Sequence, residues 1–301
     1  MTIYFLCLGS GIGDVLVCKP AFEWLCANGA EPVFFVARGP RQVGLSRLLQ
    51  GAAGEVREDE LPGIVKPEDR VINLRAHSWQ TDHDWFSAEF KARYPGIKVS
   101  EILDDACREH GIHADNREIR ALPFSIDERG SNKVVLVPNT TMKAKKLRPQ
   151  FWMDLAHTLK VRGWDAIVLG STAPNTVNAT ELQTLVEHGL THHATQDLQE
   201  AINIISSARA VVSLDTGLMH IAVQQGINTV AIFGACEVYY RPAPNCFPIF
   251  TDRRVPAQEN YKLYKFSSVY DTWGELPSTA DDGDYIDFAD CDKVLQLLGL
   301  G

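Results

Sequence analysis

Three short stretches of this chain carry side chains whose types and spacing could do chemistry. The first, Gly9-Ser-Gly-Ile-Gly-Asp14, follows the apolar run Ile3–Leu8. It starts like a dinucleotide fingerprint, but G-x-G-x-x-G needs glycine at position 14, where the chain has Asp14. A carboxylate there repels a diphosphate, which counts against a nicotinamide-dependent oxidoreductase. Asp14 reads either as a helix N-cap or as a general base able to deprotonate a hydroxyl within hydrogen-bond reach. The second stretch is Pro138-Asn-Thr-Thr-Met-Lys-Ala-Lys-Lys-Leu-Arg-Pro149. Thr140, Thr141 and the following basic residues suit a phosphate cradle, with a solvated basic loop as the plainer reading.

The third stretch runs from Ser213 to Gly234 and organises the chain. Ala208–Leu214 is apolar, Gly217 permits a tight turn, Leu218–Gln225 has helical spacing, and Asn228–Phe233 is apolar and β-branched. Asp215 and Thr216 then fall where a buried strand hands over to a helix. That is the carboxyl edge of an open α/β sheet, beside a helix N-terminus that attracts anions. His220, one turn further on, reads evenly as a ligand contact or as a packed helix residue. His77 and His83 flank Trp79 in a segment rich in His, Trp and Asp, which suits a site lining or a plain loop. His110-x-x-His113 and His192-His193 lack a third ligand, so no metal is expected.

The elements that must position these residues alternate strand and helix. Strands are predicted at 3–8, 31–37, 71–74, 133–137, 165–169, 208–214 and 228–233. Helices are predicted at 15–27 (with Pro20 inside), 42–50, 99–110, 151–162, 180–187, 198–208 and 289–298. Such alternation favours parallel sheets, and the class is α/β. A polar break at Asp127–Asn132 divides the chain into domains 1–128 and 129–301, facing each other across a cleft, with the last helix free to pack back on the first domain. In the second domain the loops after several strands, including Gly170-Ser-Thr172 and Gly234-Ala235, should open on one edge. The segment from Tyr239 to Pro277 reads as loop.

Composition bounds the function. The 301 residues are 45% hydrophobic and 22% charged, which describes a soluble globular protein. No apolar run reaches the ~18–20 residues of a membrane span. A net charge of −9 argues against a nucleic-acid binder. Seven cysteines without a C-x-x-C pair suggest reduced thiols in the cytoplasm.

Two blocks resemble the heptosyltransferase-like glycosyltransferases of family 9. Ser10-Gly-Ile-Gly-Asp-Val-Leu-Val-Cys-Lys-Pro-Ala21 is similar to the family's S-x-x-G-D-x-x-x-x-x-P-A block. Ser213-Leu-Asp-Thr-Gly-Leu-Met-His-Ile-Ala222 is similar to its D-[ST]-G-x-x-H-x-A block, and Asn139-Thr-Thr141 with the lysines to its donor-phosphate loop. The resemblance implies a GT-B architecture of two Rossmann-like domains. It also implies an inverting, metal-independent transfer of a sugar, for which the family's best-known donor is ADP-heptose, from a nucleotide-diphospho-sugar to a saccharide or glycolipid hydroxyl. No cofactor is implied, and membrane contact is peripheral at most. Asp14 then matches the base. Thr140, Thr141 and either Lys145 or Lys146 match donor-phosphate contacts, and Asp215, Thr216, Gly217 and His220 match the donor turn. Gly11, Gly13, His77 and Trp79 are assigned to the acceptor. A degenerate transferase that binds a nucleotide or sugar phosphate without catalysis is the alternative.

Overall fold

The structure, a computed structural model, describes residues 1–9, 11–29, 31–39, 42–76, 88–93, 99–123, 132–140, 147–170, 179–194, 198–233, 242–250 and 288–300. The chain separates into two compact units. Met1–Pro123 makes the body of one, and the described residues from 132 onward belong to the other.

The first unit is built on β1 (Ile3–Leu6), α1 (Ile12–Asn28), β2 (Val33–Ala37), β3 (Gly54–Arg57), the short α2 (Leu61–Ile64), β4 (Arg70–Asn73), α3 (Ala88–Arg93) and α4 (Val99–Glu109). Its sheet has the order β3-β2-β1-β4, and every pairing is parallel. All four residues of β1 are buried, and Phe5 meets Phe22 of α1 edge-on with ring centroids 5.4 Å apart. The helix is buried on nearly every side between Asp14 and Leu25, including Lys19 and Glu23. Lys19 therefore needs internal partners: it pairs with Glu23 and donates to the Leu48 carbonyl at 2.9 Å. Burial pushes the Lys19 ammonium below its ordinary range, and Glu23 opposes that shift.

One predicted helix is not formed. Within 42–50, Leu45–Leu48 wind as one 3₁₀ turn, and Gln42 closes a separate turn by donating its N–H to the Gly39 carbonyl at 2.9 Å. Gly44 stands in the left-handed region at φ 81°, and Glu55 accepts the N–H groups of Gly44 at 2.7 Å and Ser46 at 3.0 Å. Those side-chain bonds replace the helical start. Glu55 itself lies on β3, a four-residue strand with too little apolar pattern to predict.

The second unit comprises β5 (Lys133–Val137), α5 (Pro149–Val161), β6 (Asp165–Gly170), α6 (Ala179–Glu187), β7 (Thr191–Ala194), α7 (Leu198–Ser206), β8 (Ala210–Leu214), α8 (Gly217–Gln224), β9 (Asn228–Phe233), β10 (Cys246–Phe250) and α9 (Cys291–Leu298). The sheet order is β10-β9-β8-β5-β6-β7, again all parallel. Two edge strands depart from expectation. β7 carries His192 and His193 and shows no apolar run, while β10 lies inside the segment read as loop. Pro248 is compatible with β10 because an edge strand's outer N–H has no ladder partner. The last helix, expected to be free to pack back on the first domain, packs against α5 and β9: Val294, Leu295 and Leu298 join Trp152, Leu155 and Leu159 in the second unit's core. No described helix is long and apolar enough to cross a membrane.

Candidate functional site

Each sheet has one place where its strand order reverses, and open α/β sheets bind ligands beyond the carboxyl ends of the strands at such a point. In the second sheet the chain runs from β5 outward to β6 and β7, then returns to lay β8 on the other side of β5. The switch point lies between β5 and β8. Thr140 follows β5 and is buried, while Asp215, Thr216 and Gly217 follow β8. The topology thus brings these predicted residues, 75 positions apart in sequence, onto the two strands that flank one crevice.

At the end of β8, Thr216 is the N-cap of α8, but its side chain makes no capping hydrogen bond. The first-turn N–H groups of a helix have no intrahelical acceptors, so they and the aligned peptide dipoles favour an anion here. Asp215 directly precedes this N-cap. It is buried, its N–H donates to the Ile232 carbonyl at 3.2 Å, and its Oδ1 lies 4.0 Å from His220 Nε2. His220 is buried as well. Asp215 also raises the Cys246 thiol on β10, which burial chiefly pushes up to about 11. Asn245 ties that strand to the turn after α8 by donating to the carbonyls of Val223 at 3.0 Å and Ile227 at 2.8 Å.

Beside Thr140, the Asn139 amide lies over Gly170 at the end of β6. A Cβ on Gly170 would sit 1.5 Å from Asn139 Oδ1, so any side chain here must displace the amide. Both amide atoms of Asn139 are buried without a hydrogen-bond partner.

In the first sheet the chain runs from β1 to β2 and β3, then returns to place β4 on the other side of β1. The switch point lies between β1 and β4. Gly11 and Asp14 follow β1. The N-cap of α1 is Gly11, so Asp14 is not the N-cap. It is the third helical residue, and its Oδ2 accepts the Gly11 N–H at 2.8 Å. Gly13 is half-exposed in the same first turn, whereas the Asp14 residue is 6% exposed. Gly11 leaves little room around the carboxylate, since a Cβ there would stand 3.1 Å from Asp14 Oδ2.

Beneath this turn lies a polar brace that sequence reasoning missed. Arg38, just past β2, donates from Nε to the Cys7 carbonyl at 3.0 Å and from Nη1 to Glu58 at 3.2 Å, and it also bonds Asn73 at the end of β4. Gln42 donates to the Gly9 carbonyl at 2.7 Å and accepts the Arg38 N–H at 2.9 Å. Burial lowers the Arg38 guanidinium from its ordinary range, with Glu58 opposing. Next to it opens a cleft of about 600 Å³, lined by Ala37, Arg38, Gly39, Val43, Arg57, Glu58 and Asp59. Arg38 and Asn73 lie 35 positions apart and share no motif, so only the sheet joins them.

Thr141, Lys145, Lys146, His77 and Trp79 lie outside the described residues. Among the described residues no group of three His, Cys, Asp or Glu is placed to hold a metal ion.

Residues 102–248, which include the whole second switch point, match the family model of glycosyltransferase family 9 (heptosyltransferase). The resemblance to family 9 is shown. Among proteins of known activity, lipopolysaccharide heptosyltransferase 1 of Pseudomonas aeruginosa is 28% identical over 105 residues, which is 35% of this chain and 29% of that protein. The match therefore spans under a third of that relative's length. A glycosyltransferase family 9 structure from Veillonella parvula DSM 2008 superposes with a TM-score of 0.66 at 13% identity, covering 100% of this chain and 98% of that one. The structure of E. coli ADP-heptose lps heptosyltransferase II gives a TM-score of 0.60 at 15% identity, covering 90% and 98%. The fold is the expected GT-B class, with two parallel α/β sheets. In the family 9 frame, the matched region carries Thr140 and the Asp215–His220 turn, while Asp14 and the Arg38–Gln42 brace precede it.

Proposed function

We propose that the protein is an inverting glycosyltransferase that moves a sugar from a nucleotide-diphospho-sugar to an acceptor hydroxyl without a metal ion. The observation that carries this reading is the second switch point. There Thr140 and the open N-terminus of α8 at Thr216–Gly217 flank one crevice inside the family 9 match. That is a diphosphate site by its chemistry, and Thr141 with Lys145 or Lys146 extends it. Asp215 and His220 hold the turn. The acceptor binds the first unit near Gly11, Gly13, His77 and Trp79, as a saccharide or glycolipid. The names of the relatives above make a heptose, carried on ADP, the first sugar to try.

In the step itself, Asp14 takes the proton of the acceptor hydroxyl as its oxygen forms a bond to the anomeric carbon. The bond from that carbon to the diphosphate oxygen breaks, and its electron pair leaves with the diphosphate. The hydrogen bond from Gly11 N–H orients the carboxylate. The helix N-terminus and the basic loop stabilise the leaving charge, each well-placed donor contributing about 3–4 kcal/mol. The cysteine usage of the sequence supports a cytoplasmic enzyme.

The test is a thermal-shift screen against ADP, UDP, GDP, CDP, dTDP and NAD, with and without EDTA, since a bound ligand raises the melting temperature with its saturation. A shift with one nucleoside diphosphate that survives EDTA is expected. The iron-containing glycosyltransferase TibC of enterotoxigenic E. coli H10407 shares the fold at a TM-score of 0.59 and 14% identity, so added iron belongs in the screen beside magnesium. Dependence on either metal refutes metal independence, and a shift with NAD alone refutes the transferase. Asp14→Asn should lower kcat by about 10²–10⁴-fold with donor affinity unchanged. Nucleotide binding without any transfer by the wild type would establish the non-catalytic alternative.

A further inference from the structure

We propose that Gln42 is a positioning residue for Asp14, acting with Arg38 on the main chain that carries the carboxylate. The inference rests on Asp14 being the base. β1 ends at Leu6 and α1 begins at Ile12, so Cys7, Leu8, Gly9 and Gly11 are outside both the strand ladder and the helix. Their buried carbonyls need partners from elsewhere. The Cys7 carbonyl accepts from Arg38 Nε at 3.0 Å, and the Gly9 carbonyl accepts from Gln42 Nε2 at 2.7 Å. Gln42 is 0% exposed, and its other end accepts the Arg38 N–H at 2.9 Å. One side chain thus bridges the carboxyl end of β2 to the turn after β1. Two residues beyond the Gly9 carbonyl, the Gly11 N–H holds Asp14 Oδ2 at 2.8 Å. Any tilt of the turn carries that N–H with it.

The residue type fits this task closely. The bridge needs a donor toward Gly9 and an acceptor toward Arg38 in one uncharged side chain, which an amide supplies. Glutamate keeps the acceptor but turns a carboxylate oxygen toward the Gly9 carbonyl. Methionine matches the length and makes neither bond. Packing alone would be served as well by methionine. A base displaced by a fraction of an ångström loses alignment with the hydroxyl it must deprotonate, while the donor site on the other sheet is untouched.

The experiment compares Gln42→Met and Gln42→Glu with the wild type, each alone and combined with Asp14→Asn. Rates are referred to the concentration of donor-binding sites. Either single variant should lower kcat by about 10–100-fold, with the donor Kd and KM within twofold of wild type. In the Asp14→Asn background neither should lower the residual rate further, because the group they position is gone. An unchanged kcat, a loss that multiplies with Asp14→Asn, or a loss explained by fewer donor-binding sites overturns the inference. If Gln42→Met does not fold, Gln42→Glu carries the same comparison. A near-wild-type rate for Asp14→Asn alone removes the base assignment and this inference with it. A slow Asp14→Asn with multiplicative Gln42 effects removes only the inference.

Discussion

Gly170→Ala offers a sharp steric test of how the carboxyl edge of the second sheet is built. A Cβ at this position would stand 1.5 Å from Asn139 Oδ1, 2.7 Å from its Cγ and 3.5 Å from Leu182 Cδ2. Carbon and oxygen do not approach below roughly 3 Å, so the amide must retreat by about 1.5 Å or more. Overpacking of this kind costs about 1–3 kcal/mol. Gly170 does not take a left-handed φ, so alanine suits its backbone and recovers about 0.4–1 kcal/mol through the unfolded chain. Taking the middle of the overpacking range, about 2 kcal/mol, the net loss is about 1–1.6 kcal/mol, or roughly 2–6 °C in melting temperature. Asn139→Ala behaves differently. Its two buried amide atoms have no partners, and each such group costs about 1–3 kcal/mol, so removing them should leave the melting temperature unchanged or raise it. The Asn139→Ala/Gly170→Ala double variant should then melt near Asn139→Ala, giving a coupling of at least about 1 kcal/mol in a double-mutant cycle by urea titration. A Gly170→Ala protein as stable as wild type, or a double variant no better than Gly170→Ala, refutes the reasoning.

Two further predictions concern buried charge. Lys19→Met leaves Glu23 in the core with only the Gln50 N–H at 3.0 Å and Arg120 at 3.5 Å, and should destabilise by about 3 kcal/mol in urea titration. A loss under about 1 kcal/mol would show that Arg120 alone satisfies Glu23. Burial pushes the Cys107 thiol, 0% exposed, up to about 12 from an ordinary 9.0. Its folded form therefore keeps the proton while the unfolded chain loses it above pH 9, and this stabilisation is present below pH 9 and lost as pH rises toward 12. The stability gap between wild type and Cys107→Ala should narrow by about 2–3 kcal/mol between pH 8 and 11, and a constant gap contradicts the shift. The Lys19 ammonium, depressed by burial, acts oppositely just below pH 10.5, but equally in both proteins, and so cancels in this comparison.

Local pattern was sufficient for much of this protein. Apolar β-branched runs marked β1, β2, β5, β8 and β9 because a parallel strand buried on both faces must be apolar throughout. Alternation with helices of 3.6 period then implied parallel sheets, and the glycine turn before Asp14 and the Thr216–Gly217 turn marked strand-to-helix junctions. The residues of those turns, including Asp14, Thr140 and Asp215, were therefore legible as candidates. Strands β3, β7 and β10 were not: β3 and β7 lack an apolar run and Pro248 interrupts β10, so each owes its existence to its neighbour's ladder. Strand order was equally out of reach. That β4 returns to the far side of β1 and β8 to the far side of β5 decides where the two crevices open, and no local signal encodes it. The Arg38–Gln42–Asn73 brace and the Asn139–Gly170 contact belong to the same class. Each joins residues far apart along the chain through hydrogen bonds or contacts only a few ångströms long. Such ranges become effective only after hydrophobic burial has brought the strands together, so the chemistry was written locally and its placement was decided by the fold.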